Sequence, residues 1–267
     1  MAYHIEKILE FDDSFQEKFV DVCNRLIPIL KVSGFPCTAQ TLIGLMGTTN
    51  SIKLGIFELA EQCHTHLYVI KVLKRSLIEH FLKFYYILFR LLKENSDDVG
   101  IVYRKYSCIS ETLSFINASE VSKKMVGVST DNQVLKLLKK SHPEFDISKK
   151  QLNEITLKWK HRSIIKYIKA NTNLIENEKS FLLNLISEYS ELSSFIHGGT
   201  FAEETYHQAF DNGNLEELVY NEAFSSSFLC SSMRVHLLLP ACKLDEQFQE
   251  DIKKLNTMVS GLLAQNI

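Results

Sequence analysis

Between Ser51 and Glu94 the chain runs for about forty residues with no proline and a single glycine, Gly55. Apolar side chains recur there at three- and four-residue steps, as in Leu73, Leu77, Phe84, Ile87 and Leu91. That period places them on one side of a helix. Thr48-Thr49-Asn50-Ser51 reads as an opening signal and Asn95-Ser96-Asp97-Asp98 as a stop. Unbroken, the helix would be about 60 Å long, so a kink is expected near Gly55 or around Cys63–His66.

The rest of the chain offers little else than helix. Gly 10 and Pro 4 leave scant turn material for a many-stranded fold, and strand-length alternation is essentially absent. A first helix is expected over about 13–32, capped by Asp12, Asp13 or Ser14 and stopped at Gly34-Phe35-Pro36, with a shorter one over 38–46. Others are expected near 97–117, 130–141, 148–170, 177–197, 201–211, 214–238 and 244–264. Ser96-Asp97-Asp98, Ser129-Thr130-Asp131 and Ser148 mark starts, while His142-Pro143 and Gly198-Gly199 mark ends. The fold class is all-α: a multi-helix bundle forming a single domain over 1–267. Its core lies at about 50–200, with N-terminal helices over 1–49 and a C-terminal helical extension over 201–267.

An apolar fraction of 45% and a charged fraction of 23% are ordinary for a soluble globular chain. The N-terminus carries acids and no apolar leader, and FLKFYYILFRLL (81–92) is short and interrupted by Lys83 and Arg90. A cytoplasmic protein without a membrane partner is therefore expected. Cys23, Cys37, Cys63, Cys108, Cys230 and Cys242 show no C-x-x-C spacing and read as reduced thiols. No P-loop, dinucleotide fingerprint or G-x-S-x-G elbow is present. Cys63-His64-Thr65-His66 lacks a second ligand cluster, so neither metal nor cofactor is expected.

Charge is segregated along the chain. Residues 121–170 hold 12 Lys and Arg against 4 Asp and Glu, whereas residues 171–267 hold 5 against 14. The basic block is either a phosphate-binding surface or a solvated face paired with the acidic C-terminal part.

Two polar rows interrupt apolar helices. Arg75 and Glu79 stand four apart, about 40° around the helix, as an exposed ion pair or a semi-buried functional one. His80 lies about 140° from Arg75 and falls on the core stripe. Tyr189, Ser193 and His197 form a slanted ridge about 12 Å long. His197 would stand in the last helical turn, before Gly198, where the helix dipole favours its imidazolium. It serves there as a proton-transfer or phosphate-gripping group, or as a simple cap.

Taken together, Arg75-Ser76-Leu77-Ile78-Glu79 and the later Y-x-x-L-S-x-x-x-H-G (Tyr189 to Gly198) resemble an uncharacterised bacterial family of all-helical proteins. That family is related to the HEPN (higher eukaryotes and prokaryotes nucleotide-binding) superfamily, and the resemblance covers about residues 55–200. It implies a helical bundle, often a homodimer, and in many members a metal-independent ribonuclease of antiviral-defence or toxin systems. A neighbouring defence-system protein is then a possible partner. The superfamily signature R-x(4–6)-H is met in letters by Arg75 and His80, although Ser76 stands where Asn, Asp or His is usual.

The preferred site combines Arg75 and Glu79 with Tyr189, Ser193 and His197, with His80 as the alternative histidine. In metal-free cleavage His197 would move the proton, Arg75 would hold the phosphate, and Glu79, Tyr189 and Ser193 would orient and donate. Lys158, Lys160, His161 and Arg162 would guide the RNA backbone, with Trp159 as a stacking surface. The same pocket, without cleavage, would serve as a nucleotide-, RNA- or protein-binding module.

Overall fold

The computed structural model describes residues 5–62, 64–127, 138, 140, 148–174 and 179–264. Among these, ten α-helices and three short 3-10 turns account for the regular structure and no strand occurs. They are α1 (Ile5–Lys31), α2 (Pro36–Gln62), α3 (Leu67–Glu94), α4 (Asp98–Met125) and α5 (Lys149–Lys158), followed by α6 (His161–Ala170), α7 (Lys179–His197), α8 (Thr200–Asp211), α9 (Leu215–His236) and α10 (Gln247–Ala264).

The all-α expectation holds, and the element boundaries show where local signals misled. Helix α1 starts at Ile5, so Asp12 is not a cap but an interior residue on the same buried stripe as Ile8, Phe15 and Phe19. Thr48, Thr49 and Ser51 do not open a helix either. They lie inside α2, and each hydroxyl bonds the carbonyl four residues back, to Gly44, Leu45 and Gly47. The long apolar run breaks at His64–His66, a single 3-10 turn, at the second of the two expected places. The segment read as one helix over 148–170 is two, divided at Trp159 and Lys160. The helix expected near 130–141 falls mostly outside the described residues.

Helix α3 is the centre of the bundle. Phe81, Phe84, Tyr85, Leu88 and Phe89 are fully buried on it, and α2, α6, α7 and α9 pack around it. A cross-brace ties α2 to α4. Pro36 takes the first helical position of α2, where its missing N–H costs nothing. The Asp97 carboxylate then accepts from the next two amides, Cys37 N at 3.0 Å and Thr38 N at 2.6 Å. Asp97 therefore caps α2 rather than its own helix. Gly100 lies so close that a Cβ there would come within 2.4 Å of the Thr38 backbone.

The core also holds charge. Lys53 Nζ bonds Asp12 Oδ2, and Ser227 Oγ donates to Asp12 Oδ1 at 3.2 Å. Lys74 Nζ donates to Ser225 Oγ at 2.5 Å, and Lys71 pairs with Glu222. These links pin α9 to α1, α2 and α3, with Arg234 adding a 2.6 Å bond to Asn50.

His236 ends α9 in contact with Tyr85 and is 7% exposed. Burial holds its pKa down to about 4, against 6.5 for a free imidazole. The folded state needs the neutral ring, so its contribution is complete above pH 6.5 and is lost as pH falls from there toward 4. The loss amounts to about 3 kcal/mol. Urea denaturation at pH 7.5 and 4.5 should show a steeper acid decline for the parent than for His236→Gln. Parallel declines would remove His236 from the account.

Candidate functional site

Helices α3 and α7 run antiparallel. Tyr68, near the start of α3, donates its hydroxyl to the Phe195 carbonyl at 2.7 Å near the end of α7. Two turns further along α3, Arg75 meets Tyr189. This alignment decides which members of the two polar rows come together.

Arg75 Nη1 donates to Glu79 Oε2, and its Nη2 donates to the Tyr189 phenol oxygen. The guanidinium carbon also stands 4.2 Å from the centre of the Tyr189 ring. The i,i+4 spacing read from sequence is thus a semi-buried ion pair held against a third group. Lys83 Nζ adds a 2.7 Å bond to Glu79 Oε1. Helix α6 then closes the cluster, for the His161 ring stacks on Tyr189 with centroids 3.7 Å apart and planes 17° from parallel.

Glu79, Leu82, Lys83, Trp159, His161, Ile164 and Tyr189 line a cavity of about 40 Å3. Among the described residues three buried polar atoms at or beside this cavity have no hydrogen-bond partner: His161 Nε2, Trp159 Nε1 and Arg75 Nε. A polar cavity of this size takes two or three water-sized groups, and its lining holds an ammonium, a carboxylate, a phenol and an imidazole together.

The electrostatics assign protonation states. Burial pushes the His161 pKa below the ordinary histidine value, opposed by Glu79 and assisted by Arg75 and Lys83. The imidazole is therefore neutral at pH 7 and able to accept a proton. Burial raises the Glu79 carboxyl, but the bonds and charges of Lys83 and Arg75 outweigh that and hold it below the usual range. Burial and the neighbouring Glu79 raise the Tyr189 phenol, which stays protonated.

The structure brings together Arg75, Glu79 and Tyr189 from the two rows. Ser193 spends its hydroxyl on the Tyr189 carbonyl at 3.0 Å. His197 is exposed in the last turn of α7, before Gly198 at φ 62°. It stands about 12 Å along the axis from Tyr189, level with the start of α3 rather than with Arg75. His80 lies on the other side of α3, its Nδ1 2.8 Å from the Ser76 carbonyl, so the two letters of R-x4-H serve different places.

Of the basic block, Lys158, Lys160 and Arg162 are exposed. Trp159 is 4% exposed and enclosed by Tyr86, Tyr103 and Tyr106, so it presents no open stacking face. The break between α5 and α6 turns its indole inward and sends the flanking lysines out. Two members of the pocket have a role here that sequence reasoning did not assign them. The i,i+4 spacing from Glu79 could have signalled Lys83; nothing local could have signalled His161, because Tyr189, on which it stacks, lies far off in the chain.

Among the described residues no group of three or more His, Cys, Asp or Glu side chains is placed to hold a metal ion. No described helix is long and apolar enough to cross a membrane. Comparison with protein-family models, with characterised proteins and with solved structures finds no match for the chain.

Proposed function

We propose that the protein is a HEPN-like, metal-independent endoribonuclease whose phosphate-handling site is the pocket of Arg75, Glu79, Lys83, His161 and Tyr189. The observation that carries this reading is a neutral histidine, its Nε2 buried without a partner among the described residues, stacked on a tyrosine that an arginine holds. Metal-free cleavage of RNA needs those parts: a base for the 2′-OH, cations for the charge gathering on phosphorus, and a donor for the leaving oxygen. His161 removes the 2′-OH proton. Arg75 and Lys83 exchange part of their bonding to Glu79 for the phosphate oxygens, and the protonated Tyr189 gives its proton to the 5′-oxygen as its bond to phosphorus breaks.

Substrate reaches the pocket along a basic ridge. Lys158, Lys160, Arg162, Lys166 and Lys169 are exposed on the end of α5 and on α6, the helix that carries His161. Their charge attracts the RNA backbone without reading its bases. The narrow cavity admits only one or two oxygens of the scissile phosphate, so the rest of the strand lies on the ridge. In this reading the enzyme is a cytoplasmic toxin or anti-phage effector, works as a homodimer and answers to a neighbouring defence-system protein. One observation favours holding over cutting: Glu79 bonds both cations of the pocket, so neither is free to follow the charge that gathers on phosphorus.

Incubating the purified protein with labelled RNA in excess chelator separates the two. Cleavage with 2′,3′-cyclic phosphate ends is expected, and His161→Ala should slow it by about 10²–10⁴-fold. His197→Ala should leave the rate within a small factor. Retained RNA without products would assign the pocket to binding only, and a fully active His161→Ala would overturn the site.

A further inference from the structure

We propose that the groove between α2 and α4, on the far side of α3 from Arg75, binds a small organic anion: a flat body carrying one carboxylate or phosphate. The groove encloses about 330 Å3 and is lined by Gln40, Thr41, Gly44, Leu45 and Thr48 of α2, His80 of α3, and Tyr103 and Arg104 of α4. That volume lies at the lower end of those that hold small ligands. This site is independent of the ribonuclease reading and shares no lining residue with its pocket.

Few polar groups line the groove, and His80, Arg104 and the two threonines are oriented by hydrogen bonds. A carbonyl oxygen can only accept, so the 2.8 Å contact with Ser76 fixes the His80 proton on Nδ1. That leaves Nε2 as an acceptor, without a partner among the described residues. Gln40 Oε1 accepts from Arg104 Nη1 at 2.8 Å and steadies an exposed guanidinium whose other donors have no partner among the described residues. Thr41 and Thr48 commit their hydroxyls to the Cys37 and Gly44 carbonyls. The remaining wall is the Leu45 side chain, the backbone at Gly44 and the ring of Tyr103.

Arg104 therefore grips an oxyanion with its planar fork. His80 Nε2 accepts from an N–H or O–H on the ligand body. Gly44 gives that body room, since a Cβ there would meet no atom within 4 Å.

The test uses the one tryptophan of the chain. Tyr103 packs edge-on against Trp159 with centroids 5.0 Å apart, so a ligand on Tyr103 changes the indole emission. AMP and benzoate, titrated separately, distinguish a phosphate from a carboxylate ligand. At least one should saturate with a Kd below about 1 mM. Arg104→Ala should weaken that binding about tenfold or more, and Gly44→Leu, whose side chain fills the groove, should abolish it. Arg75→Ala should leave Kd within about twofold, because distant sites act independently. The proposal is overturned if neither probe saturates. It is equally overturned if Arg75→Ala removes binding while Arg104→Ala and Gly44→Leu spare it.

Discussion

Asp12→Ala is expected to lower the unfolding free energy by about 3–5 kcal/mol. Lys53 is its ion-pair partner, and their side chains are 1% and 8% exposed. Burial pulls the Lys53 pKa down, Asp12 pulls it back up, and Arg234 lowers it again. Without the carboxylate a buried ammonium would face a guanidinium with nothing to balance it, and Ser227 would lose its acceptor.

The sign with pH follows from Lys53. Asp12 holds its proton on, and in Asp12→Ala the ammonium sheds it more easily, so raising the pH should recover part of the loss. Asp12→Leu combined with Lys53→Met removes both charges and should restore most of the stability. Urea melts at constant m-value measure all three variants. An Asp12→Ala loss below about 1 kcal/mol would match a solvent-screened pair and refute the buried-pair account.

Arg75→Ala is expected to reduce kcat/KM on RNA by about 10³-fold. Its guanidinium joins Glu79 to Tyr189, and Tyr189 in turn carries His161. The change therefore removes a cation proposed to hold the phosphate and loosens the tyrosine on which the histidine rests. Arg75→Lys keeps the charge and loses the fork, so it should recover only part of the activity. A merely structural Arg75 would instead show a lower Tm with cleavage per folded molecule unchanged. The split between kcat and KM decides further, because a group that binds the phosphate only in the transition state lowers kcat.

The helical architecture was legible because it is written locally. Apolar residues at three- and four-residue steps, scarce glycine and proline, and Gly198 at a helix end constrain the backbone within a few residues of themselves. Gly198 does adopt φ 62° where the stop was expected. The Arg75–Glu79 pair was legible for the same reason, since four residues on a helix make neighbours.

Where several local readings were open, neighbours distant in sequence chose among them. Asp12 looked like a helix cap and is the counter-ion of Lys53 in the core. Asp97 caps α2 rather than the helix it precedes. Trp159 looked like an RNA platform within a basic block and is enclosed by tyrosines from α3 and α4.

The polar rows show the same division. A sequence displays that Tyr189, Ser193 and His197 share a ridge, but not which end of it another helix meets. The antiparallel packing of α3 on α7 set Arg75 beside Tyr189 and left His197 about 12 Å along the axis, while α6 delivered His161 instead. Secondary structure follows from torsional preference and apolar period, which act over one or two turns. A site is assembled by interhelical register, and register is settled by the packing of whole apolar faces.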